Sequence, residues 1–344
     1  MRYYSITLTD PITGQSIVQD GAQGFTKGTG PTFTSFVNGA SDPGALNVNF
    51  DLPIISFDAF QGAQRIKIQG VGLKMIGQAA NLAGLNFTMK AGMAPGGLPL
   101  ANPAQAGIVL QGNVFQAYGN WQGVDQTIDL IINPGIRQSI FNVGIPFWWQ
   151  AGTPLHQAIE GALQQALPGF KYEIFVDSRL VLANDENGWY QNFVQFAQYL
   201  KGITVQLGSQ LYDNYPGVLT AWNGDTISVF DASSGGPPSI NVLLAFQDLI
   251  GQPTWIGPAQ VNFKTMLRAD ISVGNRITFP QGIVTPYAIT SPAAAIPNAP
   301  SRSSTVFQGE FLVQEVHHFG NFRQPDADSW ATSFVGVPVP KAKT

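Results

Sequence analysis

Histidines and carboxylates are the groups through which this chain would bind a metal or break a bond, and they are few. It has three histidines and no cysteine, which excludes disulfides, thiolate nucleophiles and cysteine-based metal sites. His317 and His318 are the one histidine pair. Neighbours in an extended strand point to opposite faces, so the two are not placed to share a metal ion. One is expected inward and hydrogen-bonded, the other outward. His156 falls in the first turn of an expected helix and reads as a surface or packing residue. A Ser-His-Asp mechanism needs three groups held in one frame, and no G-x-S-x-G turn is present. Glycosidases set two carboxylates across a sugar bond. Asp185, Glu186, Asp326 and Asp328 are the residues to consider, but all four fall in polar turns where acidic side chains are ordinarily solvated. The glycines from Gly92 to Gly97 lack the G-x-x-x-x-G-K-[ST] order of a phosphate loop, and Asp225 and Asp231 do not form a twelve-residue calcium loop. No catalytic, cofactor-binding or metal-ligating residue is assigned, no cofactor is expected, and the chain reads as a non-enzyme.

The tryptophans admit two readings. Trp121, Trp189, Trp222, Trp255 and the run Pro146-Phe147-Trp148-Trp149 offer flat faces of the kind that stack on sugars. Aromatics equally fill cores and the centres of protein interfaces. Trp189 and Trp330 abut periodic apolar runs and read as core, whereas Trp148-Trp149 is the best-placed interface anchor.

Composition narrows the class. At 344 residues, 44% of them hydrophobic and 23 of them Phe, the chain has material for two or three cored domains. Charged residues make up 11% against about 25% in typical domains, and Gln, Asn, Ser, Thr and Gly take their place on the surface. So little charge keeps copies apart poorly, and interface cores are themselves depleted in charge. Assembly is the favoured reading, with a neutral lectin-like monomer as the alternative. The net charge of −4 supplies no basic field for phosphates, so DNA would pass without specific binding. The N-terminus MRYYSITLTDPITG lacks the apolar core of a signal peptide, and the longest apolar runs fall far short of a membrane span. The chain is expected to be soluble and made without a cleavable address.

Patterning divides the chain in three. Residues 1–134 alternate as strands: Tyr3 to Leu8, Leu46 to Leu52, Arg65 to Val71, Gly107 to Tyr118 and Thr127 to Ile132 carry apolar residues two apart. Residues 14–45 read as an exposed excursion, 92–104 as a Gly/Pro-rich loop and 119–123 as a break between strands. Residues 135–235 form an α+β inset. Thr153 and Pro154 open a helix through Ala166. Strands over 171–176 and 179–182 follow, then a second helix whose apolar face runs from Trp189 through Phe193, Phe196 and Leu200. A strand pair, 218–222 and 226–230, ends the inset before a linker at 233–238. Residues 236–344 return to strands after a helix-like piece at 240–250, with a projecting loop at 289–304. In the last segment Phe307, Phe311, Val313 and Val316 precede a polar break, and Trp330, Phe334, Val335 and Val337 follow it. Pro325 and the acidic residues around it supply turn chemistry between two strands. A β-branched residue at Gly309 or Gly320 is expected to hinder folding or assembly.

The wording of that segment, F-x-G-x-F-x-V-x-x-V-x-H followed by a short polar loop and W-x-T, resembles the closing barrel of phage baseplate hub proteins of Mu-like and T4-like phages. ALNVNFDLPI and RIKIQGVG resemble the first barrel of the same family. The resemblance implies a mainly β fold in which two tube-type β-barrel domains, 1–134 and 236–344, flank a small α+β domain at 135–235. It implies a structural virion protein of the tail baseplate, assembled in the host cytoplasm and joining the tail tube to the central spike around a channel for DNA. Its implied partners are two further copies in a homotrimer, the tail tube protein, the central spike protein and other baseplate proteins. A carbohydrate-binding β-rich module of a virion or secreted protein is the alternative.

Overall fold

The computed structural model describes residues 1–55, 64–93, 105–134, 143–213, 215–223, 226–231, 233, 241–257, 260–280, 307, 309–340 and 342–343. The chain is mainly β, with a small helical inset. The expected loop at 289–304 lies outside the described residues, as do most of the 92–104 loop and of the 233–238 linker.

Alternation builds the first lobe. β1 (Arg2–Thr9) buries Tyr4, Ile6 and Leu8 on one face. β2 (Ser16–Asp20) and β3 (Gly24–Gly28) extend from it as an antiparallel meander. Short strands β4 (Phe33–Thr34), β5 (Phe36–Val37) and β6 (Ala40–Ser41) come next, β4 pairing back on β1. Residues 14–45 are thus not a free excursion. Phe33 and Ser35 are buried, and the Ser35 hydroxyl accepts the Tyr4 N–H at 2.9 Å. The lobe continues through β7 (Asn47–Ile55), β8 (Gln64–Gln69), a short helix α1 (Leu73–Gly77), β9 (Asn86–Met93), β10 (Gly107–Gln122) and β11 (Asp125–Pro134). No break separates β10 from β11 at 119–123. Pairing continues to Gln122↔Asp125, and Gly123, at φ +60°, turns the chain with Val124. Two-residue turns demand positive φ, which glycine adopts freely.

The inset contains β12 (Ile145–Trp149), α2 (Leu155–Ala166), β13 (Lys171–Phe175), β14 (Glu186–Tyr190), α3 (Phe193–Leu211), β15 (Leu219–Asn223) and β16 (Thr226–Phe230). Leu155, Ile159 and Leu163 of α2 and Phe193, Phe196 and Leu200 of α3 meet in one apolar cluster. Asn192 caps α3 by accepting the Gln195 N–H. Two expectations fail here. Residues 179–182 form no strand, because Asp177 turns the chain by accepting the Arg179 N–H at 2.8 Å. The partner of β13 is β16, parallel, from Lys171↔Thr226 to Phe175↔Phe230. Trp189 is not a core residue of a helix either. It lies in β14, opposite Pro146 of β12, and is 64% exposed.

The last lobe holds β17 (Asn241–Leu243), β18 (Thr254–Gly257), β19 (Gln260–Met266), β20 (Arg276–Thr278), β21 (Glu310–Asn321) and β22 (Trp330–Pro338). The helix-like piece at 240–250 is instead β17, paired parallel with β20, and a single 3-10 turn in which the Asp248 carboxylate accepts the Ala245 N–H. A local side-chain bond of this kind competes with helix formation.

Among the described residues the two lobes belong to one fifteen-stranded sheet, whose main path runs β18-β19-β22-β21-β7-β8-β11-β10-β9-β1-β2-β3. The link is β21. It pairs with β22 along its length, with β20 near its start, and with β7 from Glu315↔Ile55 to Asn321↔Asn49. A bulge between Val313 and Glu315 shifts its register, and such bulges bend and re-aim a strand.

Gly320 marks how tightly this joint is packed. A Cβ there would lie 2.4 Å from Phe50 Cζ and 2.8 Å from Trp330 Cε3, whereas Gly309, at φ +96°, has no atom within 4 Å. Gly320→Val is expected to cost about 3 kcal/mol through overpacking. Gly309→Ala is expected to cost about 1 kcal/mol through its backbone alone. Urea titration measures both. Phe50→Leu should recover part of the first loss and none of the second.

Candidate assembly interface

The β21–β22 hairpin contributes to every apolar cluster outside the inset's own. Trp330, 2% exposed, enters the first-lobe core, its indole N–H donating to Gly92 O at 2.9 Å and its ring 5.3 Å from Phe50. Phe311, Val313, Val316 and Phe334 build the last-lobe core, where Phe263 and Phe334 stack at 4.8 Å. Leu312 and Val337 point the other way and meet Leu219 and Phe230 of the inset. Arg2 ties the N-terminus to the hairpin loop. Its guanidinium donates to Asn321 O at 2.8 Å, also reaches the carbonyls of Gln324 and Asp326, and lies 5.9 Å from the Trp330 ring.

The histidine pair divides as strand geometry requires. His317 faces outward and meets Asp51 of β7. His318 is buried, with Nδ1 2.8 Å from Thr332 Oγ1. The Thr332 hydroxyl in turn accepts the Arg268 N–H at 3.2 Å. Burial, reinforced by the neighbouring His317, pushes the His318 imidazole down to about 3, so it is neutral in the fold. Arg268, 5% exposed, makes a two-pronged pair with Asp270 at 2.7 and 2.7 Å and stands 3.9 Å from Asp248. In the inset, buried Asp231 accepts from Tyr215 Oη, Asp177 N and both Ser233 N and Oγ. Burial draws the Asp177 carboxyl upward, but hydrogen bonds from Arg179 and Tyr212 prevail and hold it below the usual range.

The acidic residues considered for chemistry are engaged locally. Asp185 accepts the Ala151 N–H at 2.7 Å, and Glu186 is half-buried in β14, its backbone opposite Trp149 of β12. Asp326 caps the 3-10 turn Ala327–Ser329, the Ser329 hydroxyl holding its carboxyl down, and Asp328 meets Lys264 at 3.1 Å. His156 is half-buried on α2. Among the described residues no three histidine or acidic side chains are grouped to hold a metal, and no helix is long and apolar enough to cross a membrane. Sequence reasoning missed Arg2 and the Arg268–Asp270 pair. Their i,i+2 spacing in an apolar neighbourhood is the one local signal the latter offered.

Several large apolar side chains face outward. The tip of the β10–β11 hairpin carries Trp121 at the end of β10 and Val124 in the turn, and the terminal strand β18 carries Ile256 at 55% exposure. The tryptophan pair separates, with Trp149 buried and Trp148 70% exposed. Trp255 is half-buried against Phe307, and the Trp222 side chain lies outside the described residues. The sheet path ends in two strands, β3 and β18, each paired on one side only among the described residues.

No family model matches the chain, and no curated protein matches it. Its fold is similar to that of several solved structures. One is the c3393 protein of Escherichia coli, a component of the type VI secretion system with structural similarity to the T4 bacteriophage tail proteins gp27 and gp5 (TM-score 0.47, 11% identity, 88% of this chain and 76% of that one). Another is a tail protein from Neisseria meningitidis MC58 (TM-score 0.46, 9% identity, 97% and 96%). A third is the 43 kDa tail protein of prophage MuSo2 from Shewanella oneidensis (TM-score 0.46, 9% identity, 98% and 98%). These structural neighbours are tail proteins or a protein likened to them.

The buried histidine has a consequence in acid. His318 holds its proton less tightly folded than unfolded, so between about pH 6.5 and about 3 the unfolded chain binds the extra proton. Stability therefore falls as pH drops through that window. Urea midpoints measured from pH 7 to pH 4 should decline in the native chain, and less steeply in His318→Gln.

Proposed function

We propose that this chain is a structural component of a phage-type tail baseplate: a hub that joins the tail tube to the central spike and surrounds a channel for DNA. The continuous sheet, with an open strand at each end among the described residues, is the observation that carries the reading. A sheet edge with unpaired N–H and C=O groups is a liability unless it is covered. Pairing the β18 edge of one copy with the β3 edge of the next would cover both and close a ring, because head-to-tail contacts generate rings when the rotation closes. The resemblance of the closing segment to hub proteins supports a homotrimer as that ring, with tube and spike proteins stacked on its two faces. The scarcity of charge fits a surface largely buried in assembly and a lumen that does not hold phosphates. The function so read is non-catalytic, and its place is the virion tail, after assembly in the host cytoplasm.

Solution mass and negative-stain imaging of the chain, expressed with tube and spike proteins, test this. Rings stacked between tube and spike are expected. A stable monomer under all these conditions would contradict the proposal. Ile256→Lys puts a charge on the exposed β18 edge without touching a core. It should abolish ring formation while leaving the unfolding free energy, measured by urea titration, within about 0.5 kcal/mol of the original.

A further inference from the structure

The inset carries a surface that the assembly reading leaves unused. β12 and β14 form a two-stranded ribbon in which Pro146 lies opposite Trp189 and Trp148 opposite Asn187. Strand alternation sends Ile145, Phe147 and Trp149 inward, where all three are buried. It sends Pro146, Trp148, Asn187 and Trp189 outward. Trp148 and Trp189 are 70% and 64% exposed, and they are diagonal neighbours on one face, which places their strand positions about 7–8 Å apart.

The ribbon is built to hold these rings open. A Cβ on Gly144 would lie 2.4 Å from Trp189 Cζ2, 2.9 Å from Cε2 and 3.1 Å from Nε1. A residue without a side chain at 144 therefore leaves room for the indole against the strand, where it stays 64% exposed. Beneath, Phe147 packs against Phe196 at 5.4 Å and Tyr199 at 5.7 Å, and the Trp149 N–H donates to Thr153 O at 2.7 Å. The platform is thus anchored from below.

Charge and size choose the occupant. None of the four outward residues is charged, so the face selects neither anion nor cation. Four outward residues on two five-residue strands make a face about 17 Å long, against the roughly 20–30 residues a side of a standard protein interface. That face matches two or three linked sugar rings. We infer that the β12–β14 ribbon binds a neutral oligosaccharide chain, Trp148 and Trp189 stacking on the C–H faces of adjacent sugars and Asn187 hydrogen-bonding a hydroxyl beside them. The inference does not depend on whether the chain assembles into rings.

Affinity electrophoresis of the full chain tests it, in native gels cast with dextran, soluble starch, galactomannan, hydroxyethylcellulose or glycol chitin. At least one of these should retard the chain relative to a plain gel. Trp148→Ala and Trp189→Ala should each weaken that binding about tenfold, and Gly144→Val should do the same by displacing the indole. Trp121→Ala, which removes an exposed tryptophan from the first lobe, should leave retardation unchanged. No retardation in any of the five gels would overturn the inference, as would retardation indifferent to both ribbon substitutions. So would a loss of self-association, rather than of sugar binding, in the ribbon variants, which would assign the face to a protein contact.

Discussion

The pairing of β21 with β7 joins backbone segments that lie far apart in the chain; Asp51 and His317, in contact across it, are separated by 266 positions. The other packing relations outside the inset follow from that contact. β7 opens the path of strands that builds the first lobe, and β21 leads through β22 and β20 into the last. Strand alternation turns Leu312 toward the inset while Phe311 and Val313 enter the last-lobe core, and the bulge between Val313 and Glu315 brings Val316 to that same core side. Trp330, at the start of the next strand, fills the first-lobe core. A polar joint would not serve, since apolar burial at roughly 25 cal/mol per Å² is the main force available to hold lobes together.

The joint is nonetheless not wholly apolar. His318, Thr332, Arg268 and Asp270 form a buried polar chain near the loop end of the hairpin. A buried pair such as Arg268–Asp270 contributes little net stability, but removing one partner strands the other charge and costs about 3–5 kcal/mol. Such a chain penalises misregistered pairing more than it rewards correct pairing. That is useful where a strand must choose among neighbours whose side chains alternate alike. The outer surface has the opposite character, with isolated aromatic and aliphatic residues and few charges. Both the ring proposed for the sheet edges and the sugar platform proposed for the inset draw on that surface, at separate places.

Much of this was legible in local pattern. The alternation of Leu46 to Leu52 and Arg65 to Val71 announces strands that are present, and the Phe307–Pro340 segment is the hairpin its spacing implies. The separation of His317 from His318 needed nothing beyond strand geometry. What could not be read was anything nonlocal. Nothing in β7 or β21 alone says that they pair, and the parallel β13–β16 pairing is equally silent because the strands between which it forms are separated by a helix. Trp189 was misread because it precedes the apolar face of α3, and periodicity does not register that Asn192 caps the helix three residues later. The helix expected at 240–250 gives way to the pairing of β17 with β20 and to the Ala245 N–H bonded to the Asp248 carboxylate, neither of which a periodic pattern registers. For the candidate surfaces, the sequence offered the right tryptophans but not which of the pair Trp148-Trp149 faces out.

If one hairpin holds both lobes, they should come apart together. Hydrogen exchange read by mass spectrometry across a urea series measures this directly, segment by segment. The account predicts that amides of β7, β8 and β11 in the first lobe lose protection in one step with those of β19, β21 and β22. Protection of β8 and β11 surviving after β21 and β22 have opened would contradict it, since the first lobe would then stand without the strand said to complete it.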